Sequence, residues 1–195
     1  MVKKLISVGT FTGIIAFIAS CGILKQSAEL KTFSQCTFSV KSINVQSIAG
    51  VNVSKINKVS DLPLTDYLTL AKQAFSKNIP SKIVITINAY NPSSKTGLVN
   101  GLDWELYLKE DLYSKGIINK PIQVLPHQET LFAVVADINL KEILNSKSLP
   151  QILALIIKKN ESLNLSDLDA VVRIKPWYIS KNNTKKYPGF IKIKL

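Results

Sequence analysis

Few residues in this 195-residue chain have side chains that could perform chemistry. It has one histidine, His127, and two cysteines, Cys21 and Cys36. Acid–base catalysis needs titratable groups that converge in a cleft, and a metal site needs several suitable ligands. His127 lies in Pro-His-Gln-Glu, a pattern typical of a turn between strands, and no second histidine can join it. We therefore expect an exposed turn residue, and no metal or base role.

The carboxylates and serines give no stronger indication of catalysis. Glu110 and Asp111 are placed as a hairpin turn, and Asp167 and Asp169 stand where a strand begins. The chain has no Gly-x-Ser-x-Gly elbow and no glycine-rich phosphate loop. These observations predict a protein that is not an enzyme and that needs no cofactor.

Cys21 ends a segment with the order of a secretory signal. Lys3 and Lys4 precede an apolar run, and Ile-Ala-Ser comes directly before the cysteine. The tetrad resembles a bacterial lipobox, which implies cleavage between Ser20 and Cys21 and a lipid on Cys21. The alternatives are a transmembrane helix and an ordinary signal peptide. The run from residue 5 to 18 is shorter than the roughly 20 apolar residues of a membrane span.

The lipobox also predicts where the protein is located. Gly22 occupies the position where some bacteria place an aspartate that retains lipoproteins in the inner membrane, and no acidic residue occurs before Glu29. We therefore expect an outer-membrane lipoprotein of the cell envelope that faces the periplasm rather than the cell surface. Lipidation would leave Cys36 as the single thiol, and its alternation with Phe38 and Val40 predicts a buried side chain.

The net charge of +12 has two interpretations, a solvated cationic surface or an acidic partner such as nucleic acid, anionic lipid headgroups or acidic glycans. An envelope location argues against nucleic acid, and the lysines are scattered rather than gathered in one polybasic run. The expected partners are the membrane, through the lipid on Cys21, and an envelope protein or an anionic lipid or glycan.

The elements that must position these residues are mainly strands. Apolar residues alternate with polar ones in several short segments separated by turn residues, the pattern of an antiparallel sandwich. The predicted strands are residues 38–45, with a register change near Ser42, and residues 50–56, 82–90, 102–108, 113–118, 121–126, 130–138, 168–174 and 189–195. The strand that starts at residue 168 should end at Pro176-Trp177.

Two helical insertions are expected, at about residues 64–77 and 139–160. In the first, one apolar face formed by Leu64, Tyr67, Leu68, Ala71 and Phe75 should pack on the sheets. In the second, residues 148–159 form an apolar helix for which burial is favoured over a membrane-surface position. Residues 21–35 lack a sustained period and read as a lipidated tether.

A resemblance to a known family begins at Asn91-Pro92 and continues through Gly101, Leu102, Asp103 and Trp104. A hydrophobic strand, an Asn-Pro turn and an aromatic-bearing strand in this order resemble the type 2 late embryogenesis abundant family, with its water-stress-and-hypersensitive-response domain. The match covers about residues 38 to 140, and the two helical insertions depart from it. It implies an immunoglobulin- or fibronectin-III-like β-sandwich and structural roles for these six residues.

The sequence thus predicts a signal peptide over 1–20, a tether over 21–35 and one mostly β domain over 36–195. Its expected function is that of a non-enzymatic, lipid-anchored envelope protein, a binding or protective module related to desiccation and stress. The alternative is a periplasmic carrier of a lipid or another apolar small molecule, with the helix over residues 152–157 as a lid.

Overall fold

The computed structural model describes residues 14–143, 169–180 and 183–195, with side chains from residue 24 onward. Along the described chain the strands are β1 (Thr37–Ile48), β2 (Val51–Asn52), β3 (Pro80–Tyr90), β4 (Gly97–Val99), β5 (Gly101–Leu108), β6 (Asp111–Ile118), β7 (Ile122–Val124), β8 (Glu129–Asn139), β9 (Val171–Ser180), β10 (Asn183–Lys186) and β11 (Ile191–Lys194). The helices are α1 (Ile14–Ser34), α2 (Leu64–Ala74) and α3 (Leu140–Ile143), and a 3-10 turn covers Val59–Asp61.

The strands form two large antiparallel sheets and a small one. The four-stranded sheet has the order β2-β1-β3-β8. In the five-stranded sheet β5 lies between β6 and β9, and both β10 and β11 pair with β9. The strands β4 and β7 form the small sheet. The prediction of a mostly β, antiparallel fold is therefore confirmed.

One hydrophobic core joins the two large sheets. Ile83, Ile85 and Ile87 project from β3, and Leu102 and Leu106 project from β5; each of these side chains is completely buried. Alternation places successive residues on opposite faces of a strand, so each sheet has one core face and one outer face. Burial of such a side chain contributes about 1.5–3 kcal/mol to folding.

The register change predicted near Ser42 is confirmed. The pairing of β1 with β3 shifts between Val40 and Ser42, and again between Val45 and Ser47. Irregularities of this kind bend a strand and increase its twist, so β1 can keep pairing along twelve residues.

Residues 21–35 were predicted to form a tether without regular structure, and this prediction is wrong. This segment continues α1 as far as Ser34, where Leu30 is 7% exposed and Phe33 is fully buried. Phe33 packs against Gly97, where an added Cβ would lie 3.0 Å from the Phe33 backbone. No helix in the described part of the chain is long and apolar enough to cross a membrane.

The helix predicted near residue 64 is present as α2, but its buried face was predicted wrongly. Leu70 and Ala74 are buried, whereas Leu64, Leu68 and Phe75 are exposed by 73%, 58% and 86%. The chain enters the helix after the buried Leu62 and reaches the buried Ile79 after it. These two fixed points, rather than the longest apolar stripe, set the side that faces the sheets.

Several strand boundaries differ from the prediction, and the largest differences concern β2 and β9. Only Val51–Asn52 of residues 50–56 forms a strand. Strand β9 continues through Pro176 to Ser180, although proline was expected to end it. On one edge β9 pairs with β11 up to Ile174 and with β10 from Trp177 onward, so Pro176 stands at the gap between these two partners. A missing N–H is tolerated at such a gap.

The second helical insertion is described only in its first turn, α3. The side chain of Leu140 is buried, and its N–H donates to the Ile79 carbonyl at 3.0 Å. The predicted helix over residues 148–159, its function as a lid and Asp167 all lie outside the described residues.

Candidate functional site

The Asn91-Pro92 turn is a buried structural joint. Asn91 is fully buried, and its Nδ2 donates to the carbonyls of Lys95 at 2.7 Å and Val124 at 3.0 Å. Its Oδ1 accepts from the N–H and the hydroxyl of Ser93. The amide thus holds the loop before β4 to strand β7, and it does not face solvent.

The following motif residues build β5. Leu102 and Trp104 point into the core. A Cβ on Gly101 would clash with the Ile118 carbonyl and the ring of Trp177, so only glycine fits there. Asp103 points to the outer face instead, where the Lys186 ammonium bonds its carboxylate.

Of the candidate titratable residues, Glu110 and Asp169 line one cleft, whereas His127 does not line it. His127 is exposed in a turn with a left-handed φ of 56°. Glu110 stands in the hairpin turn between β5 and β6, as predicted, whereas Asp111 is already the first residue of β6. Among the described residues no three histidine, cysteine, aspartate or glutamate side chains form a group that could hold a metal.

The outer face of the five-stranded sheet carries many charged side chains, most of them basic. Pairing across the strands aligns Lys192, Arg173, Glu105 and Lys115 in one row, and Lys175 with Asp103 in the next. We name this surface the cationic face. Its seven basic side chains are Lys109, Lys115, Arg173, Lys175, Lys186, Lys192 and Lys194; its four acidic ones are Asp103, Glu105, Glu110 and Asp169.

The outer face of the four-stranded sheet has a different character. Val84, Thr86 and Asn88 lie at its centre on β3, beside Ala133 and Val135 on β8. The charged residues of β3 and β8 on this face are Lys82, Glu129 and Asp137, one basic and two acidic. These two strands therefore lack the basic excess of the five-stranded sheet.

Two of the four acidic side chains on the cationic face are held by neighbours. Asp103 pairs with Lys186, and Glu105 accepts a hydrogen bond from the Tyr107 hydroxyl at 3.0 Å. That hydrogen bond, followed by burial and by the charge of Glu105, raises the pKa of Tyr107 above its usual value. The phenol therefore stays protonated and keeps the Glu105 carboxylate in place.

A cleft of about 840 Å³ opens at one end of the cationic face. Four basic residues line it, Lys109, Arg173, Lys192 and Lys194, together with the acidic Glu110 and Asp169. We call it the Arg173 cleft.

Arg173 is the chain's single arginine. Its guanidinium carbon lies 3.9 Å from the centre of the Tyr107 ring, a cation–π contact that fixes the plane of the group. Its Nε is buried and has no hydrogen-bond partner among the described residues.

The Arg173 cleft and α1 lie at opposite ends of the sheets. Phe33 of α1 contacts Gly97, and Gly101 pairs with Trp177 near that end. The cleft lies at the other end of the same strand pair, where Tyr107 pairs with Val171. Six residues of strand separate the two pairs, or roughly 20 Å.

This site was not predicted from the sequence. Alternation puts Lys192 and Lys194 on one face of their strand, and Arg173 likewise alternates with apolar neighbours. The missing information was that β9 and β11 are neighbours, which brings residues from distant parts of the chain together.

Comparison with known proteins identifies no family. No protein-family model matches the chain, and no curated protein matches it. Among solved structures, a protein from Archaeoglobus fulgidus is 12% identical with a TM-score of 0.33, over 80% of this chain and 96% of its own. A Bordetella pertussis protein assigned as ApaA is 10% identical with a TM-score of 0.37, over 83% and 92%.

Proposed function

We propose that this chain is a lipid-anchored, non-enzymatic binding module of the bacterial cell envelope, which holds an anionic envelope component on its cationic face. The observation that carries the proposal is the segregation of charge: seven basic and four acidic side chains share the outer face of one sheet. Two of the acidic groups are already paired or hydrogen-bonded. Such a face attracts anions, and the attraction weakens as salt increases.

The anchor and the fold class complete the proposal. The lipobox-like Ile18-Ala19-Ser20-Cys21 supports attachment to the outer membrane, on the periplasmic side. Several acyl chains hold a protein stably at a bilayer, and anchoring raises its effective concentration near envelope partners. We place the domain with the immunoglobulin- or fibronectin-III-like sandwiches and with the desiccation-related family that it resembles in sequence, as a binding or protective protein.

The first experiment separates anchoring from binding. Labelled palmitate should be incorporated into the wild-type chain and not into the Cys21→Ala variant. Equal incorporation into both would contradict the lipoprotein assignment. It would not contradict the proposal that the cationic face binds an anion.

The second experiment tests the cationic face with a matched pair of variants. Replacing Lys115, Lys192 and Lys194 with glutamine should weaken binding to an acidic polysaccharide at low salt. Replacing Lys55, Lys58 and Lys77 removes the same charge from exposed positions outside this face. If both triple variants lose affinity equally, net charge alone explains binding and the proposal for this face is wrong.

A further inference from the structure

The Arg173 cleft has the composition of a site for one compact anion. Its four basic residues exceed its two acidic ones by two charges. A phosphate monoester carries about −1.5 to −2 charges at neutral pH and has three strong acceptor oxygens. A single carboxylate carries one charge and would leave part of the lining uncompensated.

Arg173 supplies the donors that such a group needs. A guanidinium presents its N–H groups as a rigid fork that matches two oxygens of a phosphate. The ring of Tyr107 holds the plane of this fork, and Glu105 holds Tyr107 through its hydroxyl. The Nε of Arg173 is buried without a partner among the described residues.

The three lysines add charge without fixed geometry. Lys109 lies in the turn after β5, and Lys192 and Lys194 project from β11; all three are exposed. A lysine acts as a mobile point charge, so these side chains can approach the oxygens that Arg173 does not contact.

We propose that the Arg173 cleft binds a phosphate monoester, with Arg173 as the residue that recognises it. This inference rests on the proposed function as an anion-binding module and names the ligand class of one part of the cationic face. Both a soluble phosphoester and a phospholipid headgroup could supply this chemistry. The chain that follows Cys21 reaches the sheets at Phe33, and the cleft lies at the opposite end of the β5–β9 strand pair. We therefore assign the soluble phosphoester as its ligand.

The test is calorimetric titration of the full chain in mild detergent, with glycerol 3-phosphate as the probe. Succinate serves as the dicarboxylate control, and phosphatidic acid in phosphatidylcholine vesicles supplies the headgroup. We expect binding of glycerol 3-phosphate and at least about tenfold weaker binding of succinate. Equal affinity for the two soluble anions would overturn the assignment of phosphate. Binding to the vesicles alone would overturn the assignment of a soluble ligand.

Variants locate the site. Arg173→Lys keeps the charge and removes the fork, so its affinity for glycerol 3-phosphate should fall by about tenfold or more. Lys175→Gln is the matched control, because Lys175 lies two residues along the same strand, contacts Phe190 and does not line the cleft. Lys192→Gln with Lys194→Gln, both exposed positions, should weaken binding without affecting folding.

The outcomes separate the two proposals. If Arg173→Lys binds like the wild type, the phosphate site is wrong, and salt-sensitive binding to the acidic polysaccharide still tests the cationic face. If the polysaccharide does not bind while glycerol 3-phosphate binds through Arg173, the broader proposal fails and the cleft remains a phosphate site.

Discussion

Gly116 lies directly against the indole ring of Trp104, on the neighbouring strand. The two residues are paired across β5 and β6, and a Cβ atom at position 116 would lie 2.5 Å from Trp104 Cζ2. Trp104 is 5% exposed, so its ring has little room to move aside. The absence of a side chain at Gly116 therefore allows the largest residue of β5 to pack.

Gly116→Ala tests this contact. Overpacking of a well-packed core costs about 1–3 kcal/mol, and we expect a loss of that size in the free energy of unfolding, measured by urea denaturation. Gly189→Ala is the control, since its Cβ would meet only Tyr187 Cε1 at 3.8 Å, an ordinary contact. Equal stability of the two variants would show that the Trp104 ring has space beside it.

Asn91→Ala tests the buried joint between the loop and β7. The substitution leaves the Val124 carbonyl without its Asn91 donor in a buried position. An unsatisfied buried polar group costs about 1–3 kcal/mol, so the midpoint of urea denaturation should fall clearly. Asn44→Ala is the matched control, because Asn44 is exposed and, among the described residues, its amide donates to the nearby Ser42 hydroxyl. A loss no larger than that of the control would mean that water replaces the amide.

Most of the strands could be predicted from the sequence, because one face of each is buried and alternation records this. Residues 82–90 and 102–108 alternate over their whole length, and both lie in the core as expected. Strands β4 and β10 were missed. β4 has three residues, and all four residues of β10 are exposed, so neither leaves an alternating pattern long enough to recognise.

The helices show the limit of periodicity. Among the described side chains of α1, Leu30, Thr32 and Phe33 are buried. Three buried residues within four positions are too short a pattern to indicate a helix. In α2 the sequence contains two apolar stripes, and the shorter one is buried. The choice between stripes depends on where the chain enters and leaves the helix, which is a tertiary property.

The phenol of Tyr113 should make the stability of the fold depend on alkaline pH. Its oxygen accepts from the Asn139 N–H at 3.0 Å, and its hydroxyl also donates to Glu142. Burial, followed by the hydrogen bond to Glu142, raises the pKa of Tyr113 from 10.0 to about 12. The folded protein then holds this proton more tightly than the unfolded chain, so the contribution is complete below pH 10 and is lost between pH 10 and 12.

Tyr113→Phe measures this contribution. The difference in unfolding free energy between the wild type and the variant should shrink as the pH rises through this window. Ultraviolet titration of tyrosinate should show one fewer late-ionising phenol in the variant. A difference that stays constant with pH would mean that Tyr113 ionises equally in the folded and unfolded states.

Cys36 should be unreactive in the folded protein. The thiol is buried, its Sγ lies 3.6 Å from the Thr32 carbonyl as a weak donor, and burial raises its pKa from 9.0 to about 11. The thiolate is the reactive form. Its fraction at neutral pH is therefore about a hundredfold below that of an ordinary cysteine.

In the Cys21→Ala chain, which keeps only this thiol, labelling with a disulfide reagent should be slow until urea unfolds the protein. The control adds an exposed cysteine by Ser94→Cys. In this variant we expect the introduced thiol to react fast and the other, Cys36, to react slowly. Two fast equivalents without urea would show that the contact between α1 and the sheets opens readily.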